Sequence, residues 1–172
     1  MDLWLIAVAW TFVGVLAPAA MHKVKDHVRF RAMLGAYQVV PEWGLKPAAI
    51  GVAFAEVATI ALLIFLPIIG LMAATLLFAL YLCGIVVNIL RKRSFIDCGC
   101  GDEPVPLSWR IVLRNLCLIA VGLVCVLVGP GGVSMSEFIL ALPMAAVAIV
   151  LYHGFEQLIL NAANRSKLFG VA

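Results

Sequence analysis

A chain of 172 residues that is 65% hydrophobic and only 12% charged is not an ordinary soluble domain, in which about a quarter of residues carry charge. The composition instead points to an all-α integral membrane protein, a single transmembrane helical domain over residues 1–172. A net charge of +3 excludes little by its size, and no nucleotide or nucleic-acid motif accompanies it; its distribution along the chain is more informative.

The uncharged run from Leu3 to Met21 predicts a first spanning helix, since a span needs roughly 20 mostly apolar residues. Asp2 stands where a signal peptide would be basic, so 3–21 reads as a retained helix despite the small residues Ala17-Pro18-Ala19-Ala20. Residues 22–46 are too many for a simple turn. Apolar residues at 24, 28, 30, 34 and 37, with bases between them, predict an amphipathic interfacial helix within about 24–40, apolar side down and ended by Pro41. A solvated loop is the alternative.

From Pro47 to Leu90 the sole charge is Glu56. This stretch predicts helices over about 47–66 and 71–90, joined by a short turn at Pro67-Ile68-Ile69-Gly70. A fourth helix follows over about 107–128 and ends at Gly129-Pro130-Gly131-Gly132. A fifth, over about 137–160, has Ser134 or Ser136 as its cap. The expected architecture is a four-helix transmembrane bundle plus a fifth transmembrane helix.

With this order of spans, all 12 Lys and Arg fall on one face. That face holds the 22–46 segment, the 91–110 segment with Arg114, and the C-terminal tail. The positive-inside rule assigns it to the cytoplasm.

The chemistry-bearing motif is Asp97-Cys98-Gly99-Cys100-Gly101-Asp102, a polar island on the loaded face. Two cysteines one residue apart can exchange disulfides, grip a metal, or sit inert. A Cys-Gly-Cys disulfide closes a very small ring, and strain makes a disulfide easier to reduce. Gly99 relieves part of the bend. The carboxylates of Asp97 and Asp102 disfavour a thiolate, whereas Arg91, Lys92 and Arg93 favour it. A closed zinc site needs four ligands, so His22, His27 or His153 would have to complete one, and no second Cys pair exists; the zinc signal is weak. Cys83, Cys117 and Cys125 lie in apolar runs, where a thiol behaves as a small hydrophobe.

Glu56 lies mid-span, where a carboxylate is expensive and faces the bundle interior with a partner or a role. Packing specificity is favoured slightly over proton transfer. Tyr81 and Asn88, seven residues apart, share a helix face leading toward the Cys pair; they suit a quinone carbonyl or a tie between helices. Asn115, beside Arg114, has the same two readings. His22 and His153 lie in the same membrane half as the Cys pair and are minor candidates for proton transfer.

Together these residues resemble the MauE family of methylamine utilisation proteins, within a wider DoxX-like group of redox-associated membrane proteins. The features that carry the resemblance are His22-Lys23, Phe30, Tyr37 and Pro41, Glu56, Asn88, Asp97-Cys98-Gly99-Cys100-Gly101, Leu107-Ser108 and Arg114-Asn115. They span roughly 3–118, and Cys-Gly-Cys is the specific part. The family often has an aromatic just before a second glycine after the Cys pair, whereas here Gly101 is followed by Asp102. The layout also looks like the vitamin K epoxide reductase fold, with its four-helix bundle, long first loop and redox cysteines beside helix four.

The resemblance implies a multi-pass protein of the bacterial inner membrane. It would be a thiol–disulfide oxidoreductase or isomerase acting through a redox-active Cys98/Cys100 pair. Its partners would be a membrane-anchored, MauD-like thioredoxin protein and the disulfide-rich small subunit of methylamine dehydrogenase, with quinone as an electron acceptor. That role calls for a periplasmic Cys pair, whereas the charge distribution indicates the cytoplasm. The competing class is a non-catalytic membrane scaffold or small transporter with a structural Cys pair.

Overall fold

The computed structural model describes residues 3–93, 96, 106–128 and 135–169. Among them, every regular element is a helix: α1 (Leu3–Lys25), α2 (His27–Tyr37), a 3-10 turn (Glu42–Gly44), α3 (Leu45–Phe65), α4 (Pro67–Leu90), α5 (Trp109–Val128) and α6 (Met135–Phe169). Five are long and apolar enough to cross a membrane; in α6 the apolar stretch is Ile139–Leu158. Helices are the expected solution in hydrocarbon, where each backbone N–H and C=O must be satisfied within its own segment.

Helices α1, α3, α4 and α5 pack around one another, and α6 lies along α1 as an outer addition. The core of the four is built from Leu5, Phe12 and Leu16 of α1, Leu63 of α3, Leu71 and Phe78 of α4, and Cys125 of α5. Phe12 and Phe78 meet edge to face, ring centroids 5.4 Å apart, the arrangement that the aromatic quadrupole favours. Small residues carry the α1–α6 contact: Ala7 and Ala141 are buried together, and Gly14 faces the Ile149 side chain. Close approach through small side chains is how helices gain dispersion energy where no hydrophobic effect separates helix from lipid.

Several boundaries differ from the sequence reading. Helix α1 continues one turn past Met21 and carries His22, Lys23 and Lys25 in its last turn. The α3–α4 connection is tighter than Pro67–Gly70. Leu66 alone flanks both helices, and Pro67 opens α4, where its missing N–H is no loss. Gly70 lies so close to α3 that a Cβ there would collide with the Leu63 backbone. Helix α2 ends at Tyr37, before Pro41, because Gln38 turns left-handed and its N–H closes on the Gly35 carbonyl.

The expected apolar face of the interfacial helix also changes. Val24 belongs to α1, and Asp26 starts a new helix by accepting the Arg29 N–H at 3.0 Å, a standard N-cap. Val24 and Val28 are exposed, whereas Phe30, Leu34 and Tyr37 turn toward α3 and α4. The break at Asp26 resets the helical phase, so one stripe cannot run through both segments.

Candidate functional site

The loaded end of the bundle is assembled from helix ends. Helix α4 terminates in a Schellman arrangement: Arg93 N–H bonds to the Asn88 carbonyl at 2.9 Å, and Lys92 N–H to the Ile89 carbonyl at 2.9 Å. Lys92 itself is left-handed, with φ 58°, the backbone state of a residue just past a helix end. The chain then reaches Ile96, whose carbonyl accepts the Leu107 N–H at 3.1 Å. Ile96 and Leu107 are both buried in a cluster with Ile85, Ile111 and Val112, against Tyr37 of α2. Ile96 and Leu107 are therefore held together at one anchored point between α4 and α5. Asp97, Cys98, Gly99 and Cys100 lie outside the described residues.

Glu56, midway along α3, is 0% exposed. Its Oε1 accepts a hydrogen bond from Lys23 Nζ of α1 at 2.7 Å and from the Tyr81 hydroxyl of α4 at 2.5 Å. The Lys23 ammonium also faces the rings of Phe30 and Tyr81, 5.3 and 5.6 Å from their centroids, within cation–π range. One ion pair thus joins three spans and touches α2. Glu56 Oε2 is buried and has no hydrogen-bond partner among the described residues.

The remaining candidates separate from this triad. Asn88 is buried and donates to the Gly84 carbonyl at 3.0 Å, within its own helix; its Oδ1 has no partner among the described residues. Asn115 is buried and likewise donates back to Ile111 at 2.9 Å. Arg114 turns the other way, to Glu156 of α6 at 2.5 Å. Glu156 also accepts from the Tyr152 hydroxyl at 3.0 Å and faces His153 Nδ1 at 3.3 Å. His22 is half-buried near the end of α1. Among the other thiols, Cys125 is buried in the core, whereas Cys83 and Cys117 face outward.

Two ionic centres thus emerge, Glu56 with Lys23 and Arg114 with Glu156, while Asn88 and Asn115 bond within their own helices. Lys23 and Glu156 are the residues that a site list drawn from the sequence omits. A signal for Lys23 exists: a single mid-span carboxylate demands a counter-charge, and Lys23 is a base at a helix end with a four-carbon reach. No comparable signal marks Glu156, which looks like one of several charges trailing a span.

Between α2, α3 and α4 lies a cavity of about 450 Å³. Its walls are apolar except for Lys23 and the tyrosine hydroxyls among the described lining residues. Tyr37 and Ile85 belong both to this wall and to the cluster that holds Ile96.

The protein family described as "Methylamine utilisation protein MauE" matches residues 1–128. Relatives named "Methylamine utilization protein MauE" align over most of the chain. The one from Paracoccus denitrificans is 30% identical over 159 residues, 88% of this chain and 84% of its own. That from Methylophilus methylotrophus is 32% identical over 162 residues, 90% of this chain and 85% of its own. That from Methylorubrum extorquens is 33% identical over 144 residues, 80% of this chain and 76% of its own. No solved structure matches the chain.

Proposed function

The chain belongs to the MauE family of methylamine utilisation proteins, and from that premise we propose that it is a thiol–disulfide exchange protein of the bacterial inner membrane. The working pair is Cys98 and Cys100. The observation that carries this reading is the Cys-Gly-Cys motif in a polar segment whose two ends meet at the Ile96–Leu107 hydrogen bond of 3.1 Å. Cys98 is two residues from Ile96, so chain length alone keeps its Cα within about 8 Å of that anchor. Chain connectivity thus keeps the proposed exchange pair near the loaded end of the bundle, in a stretch that is polar in sequence.

The step begins from the Cys98–Cys100 disulfide. A thiolate on a thioredoxin-like, MauD-like partner attacks one sulfur, forming a mixed disulfide and releasing the other cysteine as a thiolate. The partner's second thiolate then attacks the partner's own sulfur in that bond. The partner leaves oxidised, and Cys98 and Cys100 remain as a dithiol. The oxidised partner passes its disulfide to the small subunit of methylamine dehydrogenase. Isomerisation uses the same first attack and reverses it without net electron transfer.

Changing both cysteines, C98S/C100S, tests this. Trapped mixed disulfides with the thioredoxin-like partner should disappear, and the dehydrogenase small subunit should fail to mature. Full maturation in the double variant would end the proposal.

The Lys23–Glu56–Tyr81 triad supports a second reading, a scaffold or small transporter in which the cysteines are structural, because ionisable groups inside a span mark pathways as well as packing. Thiol alkylation separates the two. A pair that switches state with mild reductant supports exchange, and one locked in a single state supports the scaffold.

A further inference from the structure

Helix α2 covers the bundle without sealing against it. None of its 11 residues is buried. Its inward residues Phe30, Met33, Leu34 and Tyr37 are only half-buried, over the cavity of about 450 Å³ that α2 shares with α3 and α4. Apolar walls around such a space forfeit dispersion contacts unless something fills it. The cavity is elongated along the spans. On α4 it runs from Ile85, nearer the loaded end, inward to Leu77, a separation of eight residues or about 12 Å of helix. On α3 it is bordered by the small residues Ala48, Gly51 and Ala55. Its rim includes Leu80, 59% exposed, and Val39, 47% exposed, so it opens sideways from the bundle, where acyl chains run.

Inside the cavity there is little charge to meet. Lys23 is held to Glu56 at 2.7 Å and faced by the rings of Phe30 and Tyr81, so the pair is neutral overall. The unbalanced charge lies at the mouth. Arg91 is exposed and follows the lining residue Gly84 by seven positions, two turns along the same side of α4. Its Nη1 donates to the Gln38 carbonyl at 3.4 Å, between the lining residues Tyr37 and Val39. On α2, the exposed Arg29 and Arg31 stand on either side of Phe30. Across 24–46, Lys25, Arg29, Arg31 and Lys46 outweigh Asp26 and Glu42. Trp43, 85% exposed in the turn between α2 and α3, is a side chain suited to headgroup depth. An apolar slot beneath a basic mouth is complementary to an acyl chain that carries an anionic head. A free phosphate cannot fill the slot, and a zwitterionic lipid leaves the basic mouth without a net counter-charge.

We propose that this cavity binds one anionic phospholipid of the leaflet at the loaded face, an acyl chain filling the slot and the phosphate meeting Arg91 at its mouth. The lipid completes the packing of α2 onto α3 and α4. Tyr37 and Ile85 belong both to the cavity wall and to the cluster around Ile96, so the bound chain also supports that anchor. The site does not depend on the disulfide-exchange reading, and its failure leaves that reading standing.

The test is a titration of the full-length protein, stripped of lipid by detergent washing, with dioleoylphosphatidylglycerol. Melting temperature follows binding, and native mass spectrometry counts the lipids retained. One lipid per chain and a saturable rise in melting temperature are expected. Dioleoylphosphatidylcholine, with the same chains and a zwitterionic head, should bind at least about tenfold more weakly. Glycerol 3-phosphate, the head without chains, should have no effect. Gly51→Phe fills the slot from a position with open space around its Cβ and should abolish retention of the lipid. Arg91→Gln should bring phosphatidylglycerol down to the affinity of phosphatidylcholine. Equal affinity for the two lipids in the unaltered protein would overturn the inference, leaving an acyl-chain slot without a head site. A full response to glycerol 3-phosphate alone would overturn it too, as would unaltered lipid retention in Gly51→Phe. Should Gly51→Phe fail to fold, an undiminished preference for phosphatidylglycerol in Arg91→Gln is the result that sinks it.

Discussion

At the residue scale the decisive feature is the buried Lys23–Glu56 pair, with Tyr81 as its third member. Desolvating two charges is costly, and their attraction offsets this only when both partners stay. Removing one leaves an uncompensated charge in low dielectric. Lys23→Met and Glu56→Gln differ here, because Gln removes the charge but keeps an acceptor for Lys23 and Tyr81. Lys23→Met should cost about 3–5 kcal/mol of stability, and the double variant K23M/E56L should recover most of that loss. Unfolding titrations of the purified protein in mixed micelles measure both, and additive losses in the double variant would show that the two residues act independently. Glu56 itself was legible in the chain, because a lone charge in a 44-residue apolar stretch from Pro47 to Leu90 stands out. Its partners were not, because Lys23 lies 33 residues away and Tyr81 lies 25 away, beyond the reach of any local pattern.

At the element scale, helix ends determine where the candidate site sits. Lys92 occupies the left-handed position that closes α4, a conformation that costs an L-residue about 1–2 kcal/mol. Glycine adopts it freely, at the cost of extra freedom in the unfolded chain. Lys92→Gly should therefore raise stability by about 0.5–1 kcal/mol, visible as a higher melting temperature. A lower one would show that the Lys92 side chain outweighs its backbone strain. The Gln38 carbonyl accepts from Arg91 Nη1 at 3.4 Å, which ties the end of α2 to the end of α4. The interfacial helix was legible from its mixture of bases and apolar residues. Its phase was not, because Asp26 restarts the helix and the cap outweighs the continuing apolar stripe.

At the scale of the whole molecule, the order of spans places all 12 Lys and Arg at one face, together with the anchored ends of the cysteine segment. The charge bias predicts that Cys98 and Cys100 are protected from a membrane-impermeant maleimide in intact cells and labelled once the membrane is permeabilised. Labelling in intact cells would instead put the pair on the exported side, the side that the proposed disulfide-exchange role calls for. That outcome would mean the basic loops cross against the rule. Helix α6 adds a second ionic centre through Glu156, 42 residues from Arg114. It lies beyond residues 1–128, the part of the chain that the family match covers.

Composition and apolar run length alone determined the class of this protein, its spans and its charged face. Hydrocarbon admits few backbone solutions, and each leaves a long, contiguous trace in the chain. The same reading isolated Cys98-Gly99-Cys100 and Glu56, because a polar residue is conspicuous among apolar ones. Tertiary structure alone decided that Glu56 pairs with Lys23 and Tyr81, that Arg114 turns away to α6, and that small residues on α3 leave a cavity beneath α2. Those outcomes depend on which faces of separate helices meet, and residues tens of positions apart carry no periodic signal of that meeting.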